Sequence, residues 1–283
     1  MNASILDKQF WYDIRESGYS LPPGYTISGL TEELFTYLGS IDPDLREEIA
    51  YETFASWLNQ RRYKPEQIRG YIVPLVINLQ SGLGETDSDG IFLRTISILM
   101  LAEIVHTDNK RIILEREDIF SIYDKALVYL AEELDTRGFV PQKGWAHSLA
   151  RIADLLSVLA GNRYLARVEL ENILSAISER LTGDHNPVLI HGEDDRLARA
   201  VIAANQRQML DEFFIKQWLH AFVDPRKRGW KGSYCSPARQ VGYFNTRNFL
   251  RSLHLQVAQN PGLFNQDYLL EEIRVTLGQL NQF

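Results

Sequence analysis

Three polar residues at helical spacing are the first candidates for chemistry. His147, Arg151 and Asp154 stand at positions i, i+4 and i+7, so on an α-helix they share an arc of about 60°. An imidazole and a carboxylate together can bind a metal ion or transfer a proton. Arg151 cannot be a metal ligand because its guanidinium stays protonated, and it favours recognition of an anion instead. A surface helix with an ordinary polar face would show the same pattern.

A second charged cluster lies later in the chain, where three consecutive acidic residues begin at Glu193 and Arg196 follows them. Acidic residues at a helix start stabilise the helix by interacting favourably with its dipole, and Asp194 is a suitable N-cap. In the functional interpretation, Glu193 or Asp194 lies opposite His147, Arg196 holds the carboxylate in place, and Trp145 borders the site. The candidate catalytic residues are therefore His147, Asp154, Glu193 and Asp194. The candidate ligand-binding residues are Trp145, His147, Arg151, Asp154 and Arg196.

Other motifs are explained more simply. The acidic loop that begins at Glu85 resembles a calcium loop, but Ile96 stands at the twelfth position, where an EF-hand needs glutamate. A single cysteine, Cys235, excludes an intrachain disulfide and a cysteine-based zinc site. The chain contains no P-loop, dinucleotide fingerprint or nucleophile elbow. We therefore predict no metal and no cofactor.

The charge of the chain bears on its partners. Residues 224–234 form a basic loop that contains Trp230, the tryptophan we expect to be exposed, and such a loop can contact phosphates and stack on bases. The net charge of −7 argues against a nucleic-acid partner. The most apolar stretch, residues 96–105, is shorter than the roughly 20 residues that span a bilayer. The start of the chain does not have the pattern of a signal peptide, so we expect a cytoplasmic protein without a membrane partner.

The elements that must position these residues are helices. Apolar residues recur at helical spacing along nearly the whole chain, and alternating strand patterns are almost absent. The predicted helices cover residues 6–17, 31–38, 42–60, 64–79, 89–106, 115–134, 145–159, 164–181, 194–205, 210–222, 243–258 and 266–280. Antiparallel pairs of these helices repeat about every 45 residues, which is typical of HEAT and armadillo arrays. We predict a single all-α domain over residues 1–283 with that architecture, and a closed α/α toroid is the alternative.

Three groups of segments match a known family pattern. They are TDSDGIFLRTIS at residues 86–97; RGFV, KGWAHS and ADLL between residues 137 and 156; and GEDDRLA at residues 192–198. Together they resemble the bacterial domain-of-unknown-function family numbered twenty-seven eighty-five. The resemblance implies a bacterial, cytoplasmic, helical protein and implies no activity. The chain departs from the family pattern at Arg151, where the resemblance leads us to expect a second histidine.

Two functions are compatible with these observations. Helical arrays present extended curved grooves, which favours a scaffold that binds a protein or peptide. The alternative is a small-ligand-binding or hydrolytic enzyme with a polar site around His147 and Asp154. Whether the polar side chains face a closed pocket or open solvent distinguishes the two functions.

Overall fold

The computed structural model describes residues 6–183, 187–225 and 229–280 of the chain. The protein is 68% helical, which confirms the predicted all-α class. The helices are α1 Lys8–Glu16, α2 Ile27–Thr36, α3 Glu52–Asn59, α4 Pro65–Asn78, α5 Gly90–Lys110, α6 Arg116–Glu132, α7 Ser148–Ala160, α8 Arg167–Leu181, α9 Glu193–Gln206, α10 Glu212–Val223, α11 Pro237–Ala258 and α12 Gln266–Leu280. A π-helical segment, Asp44–Tyr51, runs directly into α3, and a short 3₁₀ turn, Ser233–Cys235, precedes α11.

Local sequence explains where several helices begin. The side chains of Asp7, Thr26 and Asp211 each accept a hydrogen bond from a backbone N–H in the first turn of α1, α2 and α10. Such caps satisfy N–H groups that have no partner within the helix. Pro65 and Pro237 open α4 and α11, where a missing N–H has no cost.

The helices form two layers. From the π-helical segment onward, α3, α5, α7, α9 and α11 pack side by side, and α4, α6, α8, α10 and α12 form a second row. Buried apolar side chains from both layers form one continuous core that extends from Trp11 to Leu280. Among the described residues, no extensive contact joins the first helices to the last, as a closed toroid would require. A HEAT or armadillo arrangement and a single domain both stay predictions.

Helix α5 is an inner helix of the first layer. It contacts the π-helical segment, α3, α4 and α7, and a helix surrounded by neighbours is apolar on all sides. By length and composition it is the one described helix that could cross a membrane, but 72% of its apolar window is buried inside the protein. Its apolar character is therefore explained by its place in the core.

A short hairpin precedes α7 and corrects one predicted helix boundary. Strand β1, Phe139–Val140, pairs antiparallel with strand β2, Gly144–Trp145. The backbone N–H of His147 then donates to the carbonyl of Arg137 at 3.0 Å, which extends the pairing beyond the strands. This pairing holds the chain extended, so the helix predicted from residue 145 begins only at Ser148.

The residues before α7 and α9 both adopt left-handed backbone conformations. His147 precedes α7 with φ 54° and ψ 38°, and Gly192 precedes α9 with φ 78°. Helix α9 starts at Glu193 and its N-cap is Gly192, so the prediction that Asp194 is the N-cap is wrong. The glycine meets the conformational requirement of this position at low cost, which the acidic residues after it do not.

Candidate functional site

Four aromatic rings come together where the hairpin meets the start of α9. Phe139, Trp145, His147 and His191 form this aromatic cluster. The ring centroids of Trp145 lie 5.2 Å from Phe139, 4.2 Å from His147 and 5.6 Å from His191, and all three contacts are edge-to-face. The two imidazoles stack at 5.9 Å with 24° between their planes. Strand pairing sets the first contact, because Phe139 lies directly opposite Trp145.

His191 is held in place by two close contacts. A Cβ atom on Gly138 would lie 2.1 Å from its Cδ2 and Nε2 atoms, so the imidazole packs directly on the glycine backbone. The backbone N–H of His191 donates to Oε2 of Glu193 at 2.7 Å. Glu193 is buried, and its carboxylate is engaged by this hydrogen bond. The aromatic cluster therefore requires a glycine at residue 138, because a larger residue would displace His191.

His147 has an unusual electrostatic environment. Burial lowers the pKa of its imidazole to about 4, and the positive charges of Arg151 and Arg196 act in the same direction, against a smaller opposing effect of Glu47. Its Nε2 atom is buried and has no hydrogen-bond partner among the described residues. The imidazole is therefore neutral at neutral pH and acts as an aromatic ring rather than as a cation.

Arg151 is buried, so the interpretation of His147, Arg151 and Asp154 as the ordinary polar face of a surface helix is wrong at this residue. Its guanidinium donates to Thr95 Oγ1 at 3.2 Å and to the Trp145 carbonyl at 3.4 Å, and it lies 3.3 Å from Oε1 of Glu47. Burial lowers its pKa. The side chain therefore joins α5, α7, the π-helical segment and the hairpin.

The π-helical segment supplies a second buried guanidinium, that of Arg46. It donates to the carbonyls of Ser40 and Lys143 at 2.8 Å each and to Oε1 of Glu47 at 2.8 Å. Its carbon Cζ lies 4.1 Å from the ring centroid of Phe92. A single carboxylate, that of Glu47, therefore contacts both buried guanidiniums below the hairpin.

Asp154 and Arg196 form an ion pair between α7 and α9. Both side chains are partly exposed, and burial raises the pKa of Asp154 against the effect of its arginine partner. Asp194 is half-buried with a raised pKa that also results mainly from burial. Among the described residues, no hydrogen bond or ion pair joins Asp194 to the other candidates. The structure thus brings Asp154 and Arg196 together and does not show Asp194 in the same network.

No group of three or more histidine, cysteine or acidic side chains is arranged to hold a metal ion within the residues described by the structure.

Comparison with known proteins identifies the family. Residues 79–255, more than half of the chain, match the family described as "Protein of unknown function (DUF2785)". The chain belongs to this family. No curated protein and no solved structure matches it.

The match places the aromatic cluster inside the DUF2785 region, since all four of its rings lie between residues 79 and 255. Arg46 and Glu47 lie outside the matched region, in the preceding π-helical segment. The family description gives no activity, so the function must be argued from the site itself.

Sequence reasoning missed several residues of the site in this DUF2785 protein. His191 directly precedes the quoted GEDDRLA segment, and Gly138 lies inside the quoted RGFV segment, so both were within reach of the motif analysis. Glu47 gave no local signal of its contact with Arg151, because these two residues meet only in the folded chain.

The basic loop also differs from expectation. Trp230 is buried, not exposed, and its indole N–H donates to the Phe222 carbonyl at 2.7 Å. Residues 226–228, which carry three of the four basic side chains of that loop, lie outside the described residues. Cys235 is a free, exposed cysteine. The tryptophan therefore belongs to the core and is not available for stacking on a nucleic-acid base.

Proposed function

We propose that this DUF2785 protein binds a peptide segment, and that an apolar or aromatic side chain of the peptide packs on the aromatic cluster. The observation that carries the proposal is the exposure of two large rings on a fixed support. Phe139 is 56% exposed and Trp145 is 40% exposed. Exposed tryptophan and other aromatic side chains are frequent anchors of binding energy at interfaces.

The cluster is suited to binding because its support is rigid. Strand pairing orients Phe139 and Trp145, His147 and His191 pack against the indole, and Arg151 donates to the carbonyl of Trp145. A surface that is already ordered loses little conformational entropy when a ligand binds. The same support keeps the rings from collapsing onto the core.

The polar candidates are engaged in ways that argue against hydrolysis. Asp154 pairs with Arg196, and the carboxylate of Glu193 accepts from a backbone N–H. A general base is most effective when its pKa lies near the working pH, and the pKa of His147, about 4, is well below neutrality. A peptide-binding role needs none of these groups to transfer a proton.

A small-ligand-binding or hydrolytic site around His147 and Asp154 is the second candidate. The observation in its favour is the buried Nε2 atom of His147, which has no hydrogen-bond partner among the described residues. This candidate requires that His147→Ala abolish binding or turnover while the thermal stability stays nearly unchanged. The peptide proposal instead requires that the largest losses come from Phe139 and Trp145.

Selection of peptides tests the proposal directly. Random phage-displayed peptides are selected on the purified protein, the most enriched sequence is synthesised, and its Kd is measured by fluorescence polarisation. We expect Trp145→Ala and Phe139→Ala to weaken binding by about 10-fold or more, as loss of a hot-spot residue does. Phe213→Ala is the matched control, because this phenylalanine is 74% exposed on α10, outside the cluster. Failure to enrich any sequence, or an equal loss in the control, would contradict the proposal.

The setting of this function is part of the same proposal. It includes a bacterial cytoplasmic location and no membrane, nucleic-acid, metal or cofactor partner. These points rest on the sequence and the family resemblance.

A further inference from the structure

The segment before α9, residues 187–191, has one edge fixed by a buried asparagine. Asn245 on α11 is fully buried, its Oδ1 accepts from the N–H of Leu189 at 3.0 Å, and its Nδ2 donates to the carbonyl of Pro187 at 2.9 Å. A side-chain amide reaches both groups when the chain is extended, because alternate residues of an extended chain present their backbone groups to the same edge. We call residues 187–191 the edge segment.

The opposite edge of this segment is open. Val188 and Ile190 alternate with Leu189, so their N–H and C=O groups face away from Asn245. Within the residues that the structure describes, these groups have no hydrogen-bond partner. Exposure alternates in the same way: Leu189 is buried, whereas Val188 is 45% and Ile190 is 73% exposed. An open edge that carries exposed β-branched side chains readily pairs with another strand. Native proteins therefore usually protect such an edge.

We propose that the peptide of the preceding section binds by adding a β-strand to the open edge of residues 188–190. The inference rests on the proposed function and defines how the peptide is held. His191 directly follows the edge segment and its ring lies 5.6 Å from that of Trp145. A strand paired with the edge therefore continues toward the aromatic cluster. Backbone hydrogen bonds supply affinity in this mode, and contacts to alternate side chains supply specificity.

A short extended peptide fits this edge better than a second copy of the chain. The open edge is only three residues long, whereas a stable interface between folded proteins buries about 1,200–2,000 Å². The exposed side chains of Val188 and Ile190 favour a peptide that carries β-branched or aromatic residues at alternate positions. Pairing between two copies would instead appear as dimerisation that does not depend on the peptide.

Backbone methylation of the selected peptide tests the pairing. Each peptide bond of that sequence is N-methylated in turn, and the Kd for the protein is measured by fluorescence polarisation. A paired strand loses binding at every second position, by about 3- to 10-fold for each backbone hydrogen bond removed. The positions between them serve as internal controls. Equal effects at neighbouring positions would overturn strand addition.

Amide hydrogen exchange gives an independent readout on the protein. The N–H groups of Val188 and Ile190 should exchange rapidly in the free protein and become protected when the selected peptide is bound. The Leu189 N–H, which donates to Asn245, should be protected in both states. Absence of new protection at both residues would refute the pairing even if the peptide binds.

A proline variant completes the design. Ile190→Pro removes the N–H on the open edge and leaves both Asn245 bonds intact, and proline restrains the residue before it to extended conformations, which suits this segment. We expect Ile190→Pro to bind about 3- to 10-fold more weakly than Ile190→Thr, which keeps the N–H and the β-branch and so isolates the loss of the backbone hydrogen bond. If Trp145→Ala weakens peptide binding and Ile190→Pro does not, the proposed function is supported and strand addition is overturned. If no peptide binds at all, both proposals fail.

Discussion

Replacing His147 by glutamine should remove a pH dependence from the stability of the protein. The imidazole pKa is about 4 in the folded protein, against an ordinary value of 6.5. Between these values the unfolded chain binds a proton that the folded protein does not bind, so acid favours unfolding. The stability that follows from the neutral imidazole is complete above about pH 6.5 and declines as the pH falls toward about pH 4. Below that range both states are protonated and the loss ends.

The size of the effect follows from the difference between the two pKa values. A change from 6.5 to about 4 corresponds to about 3 kcal/mol. Because the ring is only half-buried, solvent screening reduces this to about 1–2 kcal/mol. The cause lies in the surroundings of His147: burial dominates, and the positive charges of Arg151 and Arg196 exceed the opposing effect of Glu47.

Urea unfolding at about pH 7 and about pH 5 measures the effect in the wild type and in His147→Gln. The wild type should lose more free energy of unfolding between these conditions than the variant, by about 1 kcal/mol. His254→Gln is the control, since this residue lies on α11 outside the aromatic cluster. An NMR titration of the His147 ring protons gives the pKa directly. A midpoint near pH 6.5, or equal slopes in the wild type and His147→Gln, would refute the reasoning.

Substitutions at three further positions test the support of the site. Glu47→Ala should lower the free energy of unfolding by about 2–4 kcal/mol, because it leaves Arg46 and Arg151 buried without their shared carboxylate. Glu47→Gln, which keeps an acceptor, should cost less in the same urea unfolding experiment. Gly138→Ala should displace the His191 ring, seen as a change in its NMR signals, and should weaken peptide binding with little change in helix content by circular dichroism. Arg151→His, which introduces the residue expected from the family resemblance, should lower the free energy of unfolding by about 2 kcal/mol or more, since the shorter ring cannot reach all three partners; an unchanged stability would show that the guanidinium contacts contribute little.

The helices were largely predictable because their determinants are local. Apolar periodicity, capping side chains and N-terminal prolines act within a few residues of one another, so they are visible in the sequence. The start of α7 was not predictable, because Trp145 and Ala146 are held by pairing with Phe139 and Gly138. The backbone of His147 is left-handed, a conformation that no helical pattern indicates. A competing local interaction thus overrode a correct periodicity.

The site was only partly predictable for a related reason. Trp145, His147, Asp154 and Arg196 were candidates by residue type and spacing, and the structure places the last two in an ion pair that joins α7 to α9. Spacing on a helix could not reveal that Arg151 is buried, because its burial depends on the π-helical segment far away in the chain. Buried charges depend on partners that only the tertiary structure brings together.

The π-helical segment has a consequence for function that local sequence could not indicate. Its Arg46 donates to the Lys143 carbonyl, and its Glu47 meets the guanidinium that donates to the Trp145 carbonyl. The residue before strand β2 is therefore bonded directly to the segment outside the matched DUF2785 region, and the end of the strand is linked to it through Arg151. Buried charged groups thus hold the backbone on which an indole that is 40% exposed is presented. In the proposed function this exposed ring anchors a peptide, so the proposed binding unit includes the segment before α3 as well as the hairpin.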